Sequence, residues 1–161
     1  MHTLILMRHA KTEGSASGGD RARELTAAGA RQAAEAGVAL GELGVDAALV
    51  STATRTRQTF AALGLGVTST ELDELYDGGS ETAARLISAT DESVGSLLVV
   101  GHAPTIPDLA ATLLFVTDPD QARDVASWFP TGSYATCTVT WPGAQAFDTG
   151  KSDYRGTTRP R

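Results

Sequence analysis

Three short apolar runs, each followed at once by polar or ionisable residues, constrain this chain more than any other feature. Thr3 to Met7 runs into Arg8 and His9, Asp46 to Val50 into Ser51 and then Arg55, and Leu97 to Val100 into Gly101 and His102. Runs of four or five residues without alternation read as strands buried on both faces. Helical patterns lie between them. Thr26 is placed to cap an Ala-rich helix reaching about Leu43, with Gly44 ending it. A second helix follows Thr54 to about Leu63, a third spans Glu81 to Thr90, a fourth follows Pro104, and a short one runs from Asp118-Pro119 to about Trp128. Val67 to Leu72 is a weaker strand, Leu72 to Ser80 an acidic loop, and Ser133 to Trp141 a final alternating strand with Gln145 to Thr149 as its possible partner. Strands alternating with helices predict an α/β fold, a three-layer α/β/α sandwich with a mostly parallel central sheet. One domain is expected over residues 1–150, with a polar, loosely held tail over 151–161.

In open α/β sheets, ligands bind beyond the carboxyl ends of the strands. Those ends carry two of the three histidines, His9 and His102, together with Arg8 and Arg55. Any one of them has an ordinary structural reading, and Arg57 is an alternative to Arg55. Their joint occurrence at three strand ends is the signal. His2, ahead of the first run, reads as surface. An arginine fork matches phosphate oxygens and keeps its charge. Neighbouring guanidinium charge disfavours imidazolium, which keeps a histidine neutral and nucleophilic. A neutral imidazole can attack phosphorus and carry the phosphoryl group covalently. A second imidazole can donate to the oxygens as charge shifts, and Arg55 falls in the first turn of a helix, where anions are favoured.

The net charge of −6 argues against nucleic acid or an anionic membrane as the main partner, so positive potential must be local. Cys137 is the single cysteine, which excludes an intramolecular disulfide and disfavours a Cys-based zinc site; no metal and no cofactor are expected. The run Thr3 to Met7 is too short for a signal core, and Leu97 to Val116 is broken by Gly101, His102, Pro104, Pro107 and Asp108, so no membrane span and a cytoplasmic location are expected.

Arg8-His9-Ala10 resembles the Arg-His-Gly signature of the histidine phosphatase (phosphoglycerate mutase-like) superfamily. The stretch from Val50 to Thr59 resembles its Ser-Pro-x-x-Arg-x-x-Gln-Thr segment, and Val99 to Pro104 its Val-Gly-His-Asn-Pro segment. Asp20, Arg23, Leu25, Thr26 and Gly29 match a spacing common in the short SixA-like branch, the phosphohistidine phosphatases. The resemblance implies His9 as the nucleophile, with Arg8, Arg55 and His102 around the phosphoryl group. It also implies a ligand in the loop after the first strand, for which Thr12 is the candidate beside an ordinary loop reading. Ser51 is expected to cap or turn the chain rather than touch substrate. Ala10 stands where the family has glycine. Thr52 stands where it has proline, which predicts a less rigid turn before Arg55. Ala103 replaces asparagine, so a contact there must come from the backbone.

Cleaving a phosphate ester requires an acid for the leaving oxygen. Leu72-Asp73-Glu74 resembles the family's Leu-x-Glu, which makes Glu74 the first candidate and Asp77 the second, against the reading of a solvated acidic loop. A phosphohistidine leaves as an imidazole, whose conjugate acid has a pKa of about 6.5, and needs such an acid less. The chain also lacks a long insertion able to cover the strand ends. The expected substrate is therefore phosphohistidine in a signalling protein, handled by a monomer or weak dimer. The alternatives are a phosphomonoesterase or mutase acting on a small phosphorylated metabolite, and a non-catalytic phosphate-binding domain.

Overall fold

The computed structural model describes residues 1–141 and 152–160. Six strands form one sheet: β1 (His2–Arg8), β2 (Ala47–Ser51), β3 (Ser69–Leu72), β4 (Ser96–Gly101), β5 (Tyr134–Val139) and β6 (Asp153–Thr158). Their spatial order is β3-β2-β4-β1-β5-β6. The β3–β2, β2–β4 and β4–β1 pairs are parallel, while β5 and β6 add antiparallel. The helices are α1 (Ala27–Glu42), α2 (Thr54–Leu63), α3 (Glu74–Asp77), α4 (Ser80–Ser88), α5 (Thr105–Leu114) and α6 (Pro119–Ser127), with a 3-10 turn at Asp20–Ala22.

Strand side chains alternate between two faces, and here both faces are buried. Leu4 and Leu6 of β1, with Leu97 and Val99 of β4, pack against α4, α5 and α6 through Ile87, Ile106, Leu109 and Val125. Ile5 and Met7, with Leu98 and Val100, pack against α1 and α2 through Ala33, Leu40 and Leu63. This produces three layers, and it explains why these strands read as unbroken apolar runs. The chain moves outward from β1 to β2 and β3 with α1 and α2 on one face. It returns to β4 with α3 and α4 on the other, as right-handed crossovers require.

The Thr26 hydroxyl accepts the Gly29 N–H at 3.0 Å and caps α1 as the sequence predicts. The buried face of α1 carries Gly29, Ala33, Gly37 and Leu40. A Cβ on Gly37 would lie 2.0 Å from the Leu63 carbonyl oxygen, so α1 and α2 meet backbone to backbone there. A Cβ on Gly29 would lie 2.1 Å from the Lys11 carbonyl oxygen, so the loop after β1 rests directly on α1.

Three expectations need correction. The acidic loop contains a helical turn, α3, with Leu75 buried beneath it. The C-terminal stretch is not a loose tail: Asp153–Thr158 pairs along β5 as the edge strand. Its sequence, DYRGTT, lacks apolar alternation because the backbone ladder, not a buried face, holds it. Gln145 to Thr149, the partner expected from sequence, lies outside the described residues. His2 is not purely surface either, since its ring stacks on Trp141 at 4.5 Å.

Candidate active site

The three parallel strands end side by side. Arg8 is in register with Gly101, and Val50 with Val100, so β2, β4 and β1 deliver Ser51, His102 and His9 to one edge. Backbone bonds fix the His9 segment from several sides. The His9 N–H donates to the Gly101 carbonyl at 3.0 Å, the Gly132 N–H donates to the His9 carbonyl at 2.8 Å, and the Ala10 N–H donates to the Thr59 hydroxyl at 3.0 Å. Thr59 lies one turn beyond Arg55 on α2, so the same helix positions the histidine loop and the arginine.

His9 is 6% exposed, and its Nδ1–H donates to the Ala10 carbonyl at 2.8 Å. That bond fixes the tautomer and leaves the Nε2 lone pair uncommitted. The His102 ring centroid is 5.4 Å away. His102 shares a 2.8 Å hydrogen bond with the Ser51 hydroxyl through Nε2. Arg8 donates through Nη1 to the Phe129 carbonyl at 3.0 Å. Arg55, 6% exposed, donates through Nη1 to the Asp20 carbonyl at 2.8 Å and through Nη2 to its carboxylate at 3.1 Å. Arg8 Nε, Arg55 Nε and His102 Nδ1 are buried without a partner. Orphaned buried donors are rare. Two unpartnered arginine N–H groups and an unpartnered imidazole nitrogen therefore cluster beside the free lone pair of His9.

Burial holds the His9 imidazole down to about 3, with smaller contributions from His102, Arg55 and Arg8 acting against the Ala10 carbonyl bond. Burial likewise holds His102 down to about 4, followed by Arg55. Both rings are neutral at physiological pH. Desolvation, rather than the arginine charge invoked from the sequence, is the leading cause. Arg8 is also lowered, first by burial and then by Arg55.

The structure adds a rim of residues to which sequence reasoning gave no role. Asp20, noted only for its spacing, accepts from Arg55, from Arg23 at 3.0 Å and from the Tyr76 hydroxyl at 2.8 Å. Those donors, Tyr76 first and then Arg23, hold its carboxyl well below the ordinary range. The Tyr76 ring meets His102 edge-on at 5.6 Å and lies 4.3 Å beneath the Arg21 guanidinium. No periodicity or motif singles out Tyr76, because its contacts are all remote in sequence. Thr12 reaches the cluster indirectly, accepting from Arg23 Nη2 at 2.7 Å. Ala103 is exposed beside His102. Ser51 turns the chain as expected, taking the Ala53 N–H at 3.4 Å, but it also touches His102. Thr52 does not loosen its turn. Its hydroxyl donates to Asp73 at 2.5 Å and accepts from Arg21 at 2.7 Å, supplying side-chain anchors where proline would supply ring rigidity.

The acid candidates pair with arginines, and among the described residues no hydrogen bond joins either of them to the histidines. Glu74 pairs with Arg85 of α4 at 2.9 Å, and Asp77 lies 3.6 Å from Arg21. Arg57, the alternative to Arg55, is tied to Glu71 at 2.7 Å on the outer side of α2. Among the described residues, no group of three or more His, Cys, Asp or Glu is placed to hold a metal ion, and no helix is long and apolar enough to cross a membrane.

Fold and site together define an α/β protein whose parallel strand ends gather two histidines and two arginines. Residues 4–79 match the model of the histidine phosphatase superfamily (branch 1). An uncharacterized protein of Mycobacterium tuberculosis is 39% identical over 140 residues, covering 83% of this chain and 87% of that one. A solved structure provisionally described as phosphohistidine phosphatase SixA from Nakamurella multipartitia superposes with a TM-score of 0.83 at 35% identity, covering 99% of this chain and 96% of the other. Another, described likewise from Agrobacterium tumefaciens, has a TM-score of 0.81 at 28% identity, covering 99% and 98%. The chain belongs to the histidine phosphatase superfamily, branch 1.

Proposed function

We propose that this protein is a metal-independent phosphatase that works through a phosphohistidine intermediate on His9 and dephosphorylates phosphohistidine in a partner protein. One observation carries the proposal: the Nδ1–H of His9 is locked on the Ala10 carbonyl, which leaves Nε2 as a neutral nucleophile beside the unpartnered buried Nε–H groups of Arg8 and Arg55 and the unpartnered Nδ1 of His102. In the first step His9 Nε2 attacks phosphorus, and the P–N bond to the substrate imidazole breaks as the new P–N bond forms. The substrate ring, protonated from solvent on its other nitrogen, departs as a neutral imidazole. In the second step water attacks phospho-His9, releasing inorganic phosphate and a neutral His9. Arg8, Arg55 and His102 hold the phosphoryl oxygens, with Thr12 and the Ala103 backbone as further contacts at the rim. Preorganised donors of this kind stabilise the charge that develops on those oxygens.

The acid supports the choice of substrate. Glu74 is occupied by Arg85, and Asp20 and Asp73 are both held below the ordinary carboxylate range by their hydrogen-bond donors. Asp20 and Asp73 thus carry no proton at neutral pH and Glu74 is turned to Arg85, which disfavours an ester with an alkoxide leaving group. A phosphohistidine ring can take a proton from solvent on its free nitrogen, since an imidazolium has a pKa of about 6.5, and then leaves as neutral imidazole without a dedicated acid. The test compares a phosphohistidine-bearing protein with p-nitrophenyl phosphate and traps labelled phosphoenzyme by acid quench. Faster turnover of phosphohistidine is expected, with His9→Ala losing both turnover and label. Glu74→Ala should leave phosphohistidine turnover unchanged. Retained activity in His9→Ala, or preference for the ester, would sink the assignment.

A further inference from the structure

We infer that Ser51 sets the tautomer of His102, so that a neutral His102 presents an Nδ1–H to the bound phosphoryl group. This rests on the reading of the cluster as a phosphoryl site. Ser51 is completely buried at the end of β2, and its hydroxyl lies 2.8 Å from His102 Nε2. The hydroxyl has one proton and two lone pairs. One lone pair faces the Ala53 N–H at 3.4 Å. His102 Nδ1 is buried with no partner.

Two arrangements are open to a neutral ring, and they differ in what they strand. If Nε2 carries the proton, it donates to Ser51. The Ser51 proton then has no acceptor among the described groups, and Nδ1 is a buried lone pair with no donor. Two buried groups go unsatisfied. If Nδ1 carries the proton, Ser51 accepts from Ala53 and donates to Nε2, so the serine is satisfied. Only the Nδ1–H remains open, and an oxyanion in the pocket completes it. The second arrangement leaves fewer buried polar groups stranded. It also solves a chemical problem. A ring held neutral by burial donates to phosphate only if the proton sits on the correct nitrogen, and a hydroxyl on the other nitrogen fixes that choice without adding charge.

His9 and His102 thereby carry their protons on the same nitrogen for opposite purposes. In His9 the Nδ1–H is spent on Ala10 and Nε2 attacks; in His102 Nε2 is spent on Ser51 and Nδ1–H binds. Ser51 is a positioning residue, acting through His102 rather than on substrate.

Long-range proton–nitrogen NMR of the labelled protein at neutral pH reads the tautomer directly. For wild type we expect a protonated Nδ1 and an unprotonated Nε2 on His102. Ser51→Ala should shift the ring toward the Nε2–H form and weaken inorganic phosphate binding roughly tenfold, as expected for one lost hydrogen bond to a charged group. Ser51→Cys keeps a weak donor of similar size and should restore part of both. Because an asparagine amide reproduces the Nδ1 position and a glutamine amide the Nε2 position, His102→Asn should bind phosphate more tightly than His102→Gln. An Nε2–H ring in wild type, or a tautomer indifferent to Ser51→Ala, overturns the inference. The wild-type spectrum needs no variant to fold and no activity. A protein that lacks phosphohistidine turnover but shows the Nδ1–H ring would thus refute the proposed reaction alone.

Discussion

Lowering the pH from 8 to 5 should cost this protein several kcal/mol of stability, before the shifted carboxylates of the site begin to titrate. The cause is the pair of buried imidazoles. In the folded chain His9 is held down to about 3 and His102 to about 4, both chiefly by burial, so both stay neutral at pH 5. In the unfolded chain each has a pKa of about 6.5 and takes up a proton. The unfolded state binds more protons, so its free energy falls with pH and the folded state loses relative stability. The full stability is present above 6.5 and is lost progressively until each folded pKa is reached. Every pH unit in that window costs about 1.4 kcal/mol per histidine. At pH 5, some 1.5 units into the window, each histidine has cost about 2 kcal/mol and the pair about 4 kcal/mol. With a urea slope of about 2 kcal/mol per molar, the unfolding midpoint should drop by about 2 M between pH 8 and 5. Asp20 and Asp73, whose carboxyls are shifted downward, titrate below this range and do not confound it. The assay is urea unfolding by circular dichroism at half-unit pH steps. Replacing both histidines with asparagine should flatten most of the dependence, and each single variant should remove about half. A wild-type midpoint that holds steady from pH 8 to 5 would refute the reasoning, as would an undiminished slope in the double variant.

Arg55→Lys keeps one positive charge but cannot hold Asp20 at two points and also offer a third N–H to the pocket. Its kcat/KM toward phosphohistidine should fall by about a hundredfold, reflecting charged hydrogen bonds worth about 1.5–3 kcal/mol each; near-normal kinetics would remove Arg55 from the phosphate site. Gly37→Ala should destabilise the protein by about 1–3 kcal/mol or more, because its Cβ would enter the Leu63 carbonyl where α1 meets α2. Calorimetric melting checks this, and an unchanged Tm would mean that the helices separate freely.

The sheet and the four central residues are readable in the sequence for one physical reason. Strands buried on both faces must be continuously apolar, so their ends are sharp, and the residues just beyond them are the ones a parallel sheet gathers. His9, Arg55 and His102 follow directly. Asp20, Arg21 and Tyr76 do not, because each acts through side-chain partners tens of residues away and none stands at a strand end. The acid is not fixed by the sequence for a related reason. A carboxylate on a one-turn helix can face either way, and only the position of Arg85 on α4 shows which way Glu74 turns. The edge strand β6 is not legible in the sequence because backbone pairing, unlike burial, leaves little mark on composition. Its Gly156 and charged residues read as a tail.

The placement of β4 between β2 and β1 also bears on how the protein acquires its site. β1 and β2 are separated by the slot that β4 fills, and Leu4 finds its parallel partner only in Leu97. During folding, about half of the chain must be closed into a loop before the parallel centre of the sheet exists, an arrangement of high contact order that slows the search. The same insertion brings Gly101 to the His9 N–H and His102 to Ser51. Intermediates lacking β4 are therefore without an assembled pocket, and recovery of phosphate binding during refolding should track insertion of this one strand.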